Sequence, residues 1–192
     1  MVQYSDPVLH LLAGPKGAGK STFVDRYLLP ETGLPFINAD VIAAERWPEA
    51  QEEHAYDASR AAAQERDRHL EHRSSFTSET VFSHPSKVDL VERAAVAGFL
   101  VHLHVIMVPV DLTVQRVSER VRRGGHTVPE PKIRGRYARL WRLVVEARHI
   151  AHWTDFCDNS NPRTPHRHVA SYERGALIGH PQWPQWTPEE LL

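Results

Sequence analysis

The chain has one cysteine, Cys157, in 192 residues, so no disulfide can form within it. That fits a reducing compartment. No apolar run approaches the ~18 residues that a bilayer span requires. The first residues, Met1 to Pro7, lack the basic segment and apolar stretch of a secretory leader. A cytoplasmic protein with no membrane contact is therefore expected. The formal net charge is only −1, which excludes a chain that coats a polyanion over its whole surface. Internal repeats and low-complexity linkers are also missing. A chain of this length buries a core without a disulfide or metal staple. One domain over residues 1–192 is the expectation.

What is present begins with ordinary globular composition: 41% hydrophobic and 24% charged residues. The charge is unevenly spread. Residues 114–148 hold ten Arg or Lys against three Glu, a net +7, which leaves the rest of the chain acidic. Such a segment is either a solvated helical face or a surface for a polyanionic ligand or an acidic partner.

Strand and helix patterns alternate. Strands are expected at 8–13, 35–38, 75–80, 100–108, 155–158 and 169–172, each a short apolar or β-branched run. Helices are expected at 21–29, stopped near Pro30, and at 50–73, 86–97, 111–123 and 132–152. The last residues, about 175–192, are rich in Pro and Trp and read as an irregular tail. Alternation of this kind predicts parallel βαβ units in a three-layer α/β fold.

The run "HLLAGPKGAGKSTFVDRYLL" carries the most chemistry. Gly14, Pro15, Lys16, Gly17, Ala18, Gly19, Lys20 and Ser21 match the P-loop pattern, with Thr22 following. A strand precedes the loop and a helix follows it, as the pattern requires. Glycines let the backbone curl so that several N–H groups point inward, and the helix adds its free N–H groups and positive dipole end. Lys20 reaches the β- and γ-phosphates, and Ser21 offers a hydroxyl to Mg²⁺. A nucleoside triphosphate, ATP or GTP, is the expected ligand. A kinase also needs a base for the acceptor hydroxyl, and ligands bind at strand carboxyl ends in parallel sheets. Asp40 follows "PFIN" and Glu79 follows "SSFTS", both at such ends. Read alone, each is more readily a helix cap or a surface acid; beside a P-loop on a third strand, the balance moves toward function.

The segments "GPKGAGKST", "INADVIA", "FTSETVFSHPSK", "RVRRGGHTVPEPKIRGRY" and "CDNS" together resemble the zeta-toxin family of P-loop kinases, and more narrowly its short bacterial members. Order and spacing agree from Leu11 to about Ser160. The resemblance implies a P-loop NTPase fold of the nucleotide-kinase type with a helical lid segment, about 117–139. It implies transfer of the γ-phosphate of ATP or GTP to a hydroxyl of a small acceptor, such as the sugar of UDP-N-acetylglucosamine. Carried onto this chain, Asp40 is the general base, and Lys20 and Ser21 hold phosphate and Mg²⁺. Glu79 contacts the acceptor or orders Mg²⁺ and water, in an S-E-T run that includes Thr80. Arg120 and Arg136 are the lid arginines that neutralise charge on the transferring phosphoryl group, with Arg116, Arg123 and Arg134 as neighbours that share the role. An antitoxin protein is the partner the resemblance adds. The chain is shorter than the well-studied members around the sugar-nucleotide pocket.

Other residues carry weaker signals. His84, after the third strand, and Arg134 are candidates for acceptor contact, and His126 for phosphate. Asn159, after the last strand of the motif set, is a candidate for nucleotide contact. His102 and His104 alternate in the strongest strand and read as half-buried polar positions rather than metal ligands, with no acidic or cysteine partner at ligand spacing. Cys157 reads as a small buried hydrophobe, and Trp183 and Trp186 as covers for a core edge. Two function classes follow: a phosphotransferase, and a nucleotide-binding switch or ATPase that works through a protein partner. Within the first, a nucleic-acid 5′-end or an antibiotic-like molecule is the other acceptor class, since the +7 segment serves a nucleic-acid end as well as a lid.

Overall fold

The computed structural model describes residues 6–122 and 128–192. Seven strands form one sheet in the order β2-β3-β1-β4-β5-β6-β7. They are β1 (Val8–Ala13), β2 (Phe36–Ile37), β3 (Phe76–Glu79), β4 (Leu100–Met107), β5 (Trp153–Asp158), β6 (Arg167–Glu173) and β7 (Ala176–Ile178). The first five are parallel, while β6 and β7 run antiparallel beside β5. The five parallel strands are the parallel sheet that was expected, and the antiparallel pair extends it at one edge. The loop between β5 and β6 is too short to hold a crossover helix, so the chain turns back on itself. The irregular tail is corrected: Ala176–Ile178 adds an edge strand, and Glu189–Leu191 is a 3₁₀ turn whose Leu191 is buried.

The helices follow the alternation. The first, α1 (residues 20–32), is an α-turn Lys20–Phe23, a π-turn Val24–Leu28 and a last turn Leu29–Thr32. It does not stop near Pro30. The amide of Leu29 donates to Val24 O, one residue wider than an α-helical bond. Proline has no N–H to continue the ladder, and the wider turn accommodates it until Gly33 ends the helix. Helix α2 (Ala39–Arg46) was not expected; Asn38 caps it, its side-chain oxygen accepting from Asp40 N at 2.7 Å. The others are α3 (Ala55–Glu71), α4 (Ser86–Val96), α5 (Val110–Arg122) and α6 (Glu130–Ile150). Helix α3 starts five residues later than Ala50, because Gln51–His54 form turns.

The two faces of the sheet differ. Leu9, Leu11, Val101, Leu103, Val105 and Phe156 face the main core, with Val91, Ala94, Leu140 and Val144 packed among them. Trp183 and Trp186 of the tail lie against this core. The opposite face is covered near the P-loop by α1, through Val24 and Leu28 on Leu12. Cys157 packs there in a small cluster with Ile106, and burial raises its thiol pKa to about 12. Among the described residues, no helix is long and apolar enough to cross a membrane.

Candidate functional site

The P-loop leaves the carboxyl end of β1, and two glycines fix its path. Gly14 has φ 148°, and a Cβ there would sit 2.3 Å from the carbonyl oxygen of Ile106 in the neighbouring strand. Gly19 has φ 92°, and a Cβ there would meet Asn159 Nδ2 at 2.4 Å. Only glycine fits both the conformation and the close approach. Lys20 is buried, at 4% exposure, and its ammonium donates to the carbonyls of Gly14 and Pro15, each at 3.0 Å. Glu79 lies 3.6 Å from it. Burial pushes the Lys20 pKa down, opposed by Glu79 and then Asp40. The lysine is thus held inside the curl of the loop, where a phosphate would meet it.

Three parallel strands, β1, β3 and β2, end side by side and deliver the remaining groups. Glu79, the last residue of β3, accepts from Ser21 Oγ at 2.7 Å and from Asn38 Nδ2 at 3.0 Å. Asn38 follows β2 and caps α2, so one side chain orients Glu79 and starts the helix that carries Asp40. Asp40 sits in the first turn of α2, its side chain 65% exposed, with Arg120 of α5 at 3.9 Å. Ser21, Glu79 and Asp40 therefore line one continuous edge of the sheet. Oxygen donors such as Ser21 Oγ and Glu79 Oε2 suit a hard cation.

The cationic segment separates into distinct settings. Arg116 clamps the loop, donating to Gly17 O at 3.2 Å and Asn159 O at 3.0 Å. Arg120 is exposed beside Asp40. Arg134 donates to Glu130 and to Asp111, at 2.8 and 2.9 Å, which ties α6 to α5. Arg136 lines a small pocket with Lys16, Val81, Thr113 and Tyr137, against the P-loop. Arg123, Gly124, Gly125 and His126, the centre of the expected lid, lie outside the described residues.

The other candidates are placed as follows. Thr80 Oγ1 accepts from Phe82 N, which holds the turn after β3. His84 is exposed, and its Nδ1 accepts from Ser86 N at the start of α4. Asn159 lies on the P-loop itself, donating to Ala18 O at 2.7 Å and accepting from His166 N at 3.2 Å. Thr22 faces solvent one residue past Ser21. Sequence reasoning missed Asn38 and His166. The N-A-D run and the β2 end were the signal for Asn38. For His166, whose Nε2 lies 3.2 Å from Gly19 O, no motif pointed the way.

The sequence matches the family described as Zeta toxin over residues 1–175. No curated protein sequence matches the chain. Among solved structures, the fold resembles the AvrRxo1-ORF1:-ORF2 complex with ATP, with TM-score 0.68 and 16% identity, covering 90% of this chain and 60% of that chain. It resembles the PezAT chromosomal toxin–antitoxin system of Streptococcus pneumoniae, with TM-score 0.61 and 14% identity, over 81% of this chain and 69% of that one. It also resembles shikimate kinase from Acinetobacter baumannii in complex with shikimate, with TM-score 0.51 and 22% identity, over 77% of this chain and 82% of that one. The chain spans only 60% of the AvrRxo1-ORF1:-ORF2 chain it matches. By its sequence match and its strand–P-loop–helix architecture, the chain belongs to the Zeta toxin family and has an α/β P-loop kinase fold.

Proposed function

We propose that the protein is an ATP-dependent phosphotransferase that moves the γ-phosphate to a hydroxyl of a small acceptor, a UDP-sugar such as UDP-N-acetylglucosamine being the class to try first. The observation that carries this is the row of groups at the ends of β1, β3 and β2. Lys20 and Ser21 each lie within ion-pair or hydrogen-bond reach of Glu79, and Asp40 stands exposed, with Arg120 at 3.9 Å. The loop amides and Lys20 would hold the phosphates, by hydrogen bonds and charge aimed where charge builds. Ser21 and Glu79 would hold Mg²⁺, which neutralises phosphate charge when bound. Asp40, free of a tight partner, would take the acceptor proton. Arg120 and Arg136 approach the same edge from α5 and α6 and would balance charge on the phosphoryl group. An antitoxin partner follows from the family alone.

The test is transfer of ³²P from γ-labelled ATP, or GTP, to sugar nucleotides, nucleosides and oligonucleotide 5′-ends. Turnover that rises only with one acceptor class supports the proposal and names the class. ATP hydrolysis that no acceptor accelerates would replace it with a switch or ATPase acting through a partner.

A further inference from the structure

On the sheet face away from the main core, β1 and β4 bring three histidines together. His10 and His102 are register partners, and His104 is two residues further along β4 on the same face. One ring nitrogen from each of the three lies within 4.8 Å of the other two. His10 Nδ1 is 3.0 Å from His104 Nε2, and the rings of His102 and His104 stack with centroids 3.9 Å apart. On the adjacent strand, Asp155 Oδ2 is 2.6 Å from His102 Nε2. A second Asp155 oxygen accepts from Ser171 Oγ on β6, so the carboxylate is held from both sides.

Position in the sequence did not reveal this cluster. The third histidine comes from β1, more than ninety residues away, and the acid from β5; only strand order makes them neighbours. Each neutral imidazole carries one N–H and one lone pair, so three such rings crowded on one face offer lone pairs that a single cation can share. His10 and His104 share a proton as they stand. Asp155 accepts the Nε2 proton of His102, which leaves Nδ1 of that ring as its lone pair. A carboxylate behind a histidine is the usual means of fixing a ligand's tautomer and orientation.

We propose that His10, His102 and His104 bind a divalent cation of the zinc class, with Asp155 orienting His102. Tetrahedral bonds of ~2.0–2.1 Å place donor nitrogens about 3.3 Å apart. The His10–His104 pair, at 3.0 Å, is already near that spacing, and the widest pair, within 4.8 Å, needs a contraction of up to about 1.5 Å. An all-imidazole set selects Zn²⁺, Co²⁺, Ni²⁺ or Cu²⁺ over Mg²⁺. His102 retains 27% exposure, which gives solvent the fourth position. His104 also packs on Phe23, two residues past Ser21, so an occupied site braces the helix that carries the P-loop serine.

The test uses tag-free, metal-stripped full chain without nucleotide, titrated with Zn²⁺ by calorimetry and with Co²⁺ by visible absorption. The expected result is one ion per chain, a four- or five-coordinate cobalt spectrum, a raised thermal midpoint with Zn²⁺, and no competition from millimolar Mg²⁺. His10→Gln should abolish the one-to-one binding. Asp155→Asn, which leaves the three ligands in place, should weaken it about 10–100-fold. A control with exposed His72 and His180 both changed to Gln should bind as wild type. Folding of each variant is checked by circular dichroism. Absence of saturable one-to-one binding by the folded wild-type chain overturns the proposal, as does binding that survives intact in folded His10→Gln.

Discussion

Lys20 and Asn38 are 4% and 7% exposed and are fixed by Glu79, whereas Asp40 and Arg120, which face each other at 3.9 Å, have side chains 65% and 54% exposed. Under the proposed function, the first group would meet the phosphates of a nucleotide and the second an approaching acceptor. Fixed, desolvated donors suit a charge that is the same for every turnover, because they need no reorganisation when it arrives. Solvated groups suit a partner that must enter, be deprotonated and leave. The weak Asp40–Arg120 pair is of the kind that contributes little to stability, so a substrate displaces it at low cost. On this reading, the nucleotide half is set by the fold, and the acceptor half is completed by what binds.

Changing Asp40 to Asn should produce the largest loss and breaks the comparison at its exposed side. Asparagine keeps the shape and the position in the first turn of α2 but cannot take a proton. Turnover with the true acceptor should fall ~10²–10⁴-fold. The ATP dissociation constant should hold, because the loop amides, Lys20 and Mg²⁺ would hold the phosphates. Turnover within about threefold of wild type, far short of a missing base, would leave Asp40 as a partner of Arg120 only.

Lys20→Ala breaks it at the buried side. Loss of a charge aimed at the phosphates should lower turnover by about 10²–10³-fold. Here the buried setting adds a second expectation. Glu79 loses its cation while keeping Ser21 and Asn38, so thermal stability should fall as well, by about 2–4 °C for each kcal/mol lost. Circular dichroism melting and labelled-ATP turnover read the two effects separately. An unchanged midpoint would mean that the Lys20–Glu79 pair only offsets its own desolvation.

Much of this division was legible before any coordinates. The P-loop declares itself because its chemistry is local: eight consecutive residues, flanked by a strand and a helix. Asp40 and Glu79 were visible as acids at strand ends, although only strand order brings Glu79 next to Ser21. Asn38 was missed because its role depends on a helix of eight residues with few apolar positions, whose start is its cap rather than its periodicity. The π-turn in α1 was missed because a proline reads as a stop, and the wider bond that avoids one leaves no mark in the sequence. The histidine cluster was missed for a purely topological reason. Its members are on β1, β4 and β5, and spacing along a chain says nothing about strands that become neighbours.

Glu79→Gln sharpens the comparison on its buried side, since Glu79 joins Lys20, Ser21 and Asn38. Glutamine still spans from Ser21 to Asn38, and the fold should stand. The charge beside the serine hydroxyl is lost, so the Mg²⁺ concentration giving half-maximal turnover should rise about tenfold, as when a group near a metal is neutralised. A titration of turnover against Mg²⁺ measures it. An unchanged requirement would assign Glu79 to holding Lys20 and Asn38 rather than to cation binding.

The smallest effect should come from Arg134, and it decides how the +7 segment is shared. Five arginines there could face a phosphate by sequence alone, and the structure gives four of them different surroundings. Arg116 grips the loop backbone, Arg120 faces Asp40, and Arg136 lines the pocket against Lys16. Arg134 is instead engaged twice, with Glu130 four residues back on its own helix and with Asp111 on α5. Those hydrogen bonds raise its pKa further above an already high value, which marks a guanidinium committed to carboxylates. To serve a phosphoryl group it would have to leave both. Arg134→Ala should therefore hold turnover within about threefold, against the ~10³-fold or more that an arginine acting on the transferring phosphate contributes. The same variant should lose a contact between α5 and α6, seen without nucleotide as faster amide exchange at the N-terminal ends of the two helices, where Asp111 and Arg134 meet. A loss of turnover in the range of an arginine finger would mean that Arg134 trades Asp111 and Glu130 for phosphate during turnover, and the exposed half would then include it.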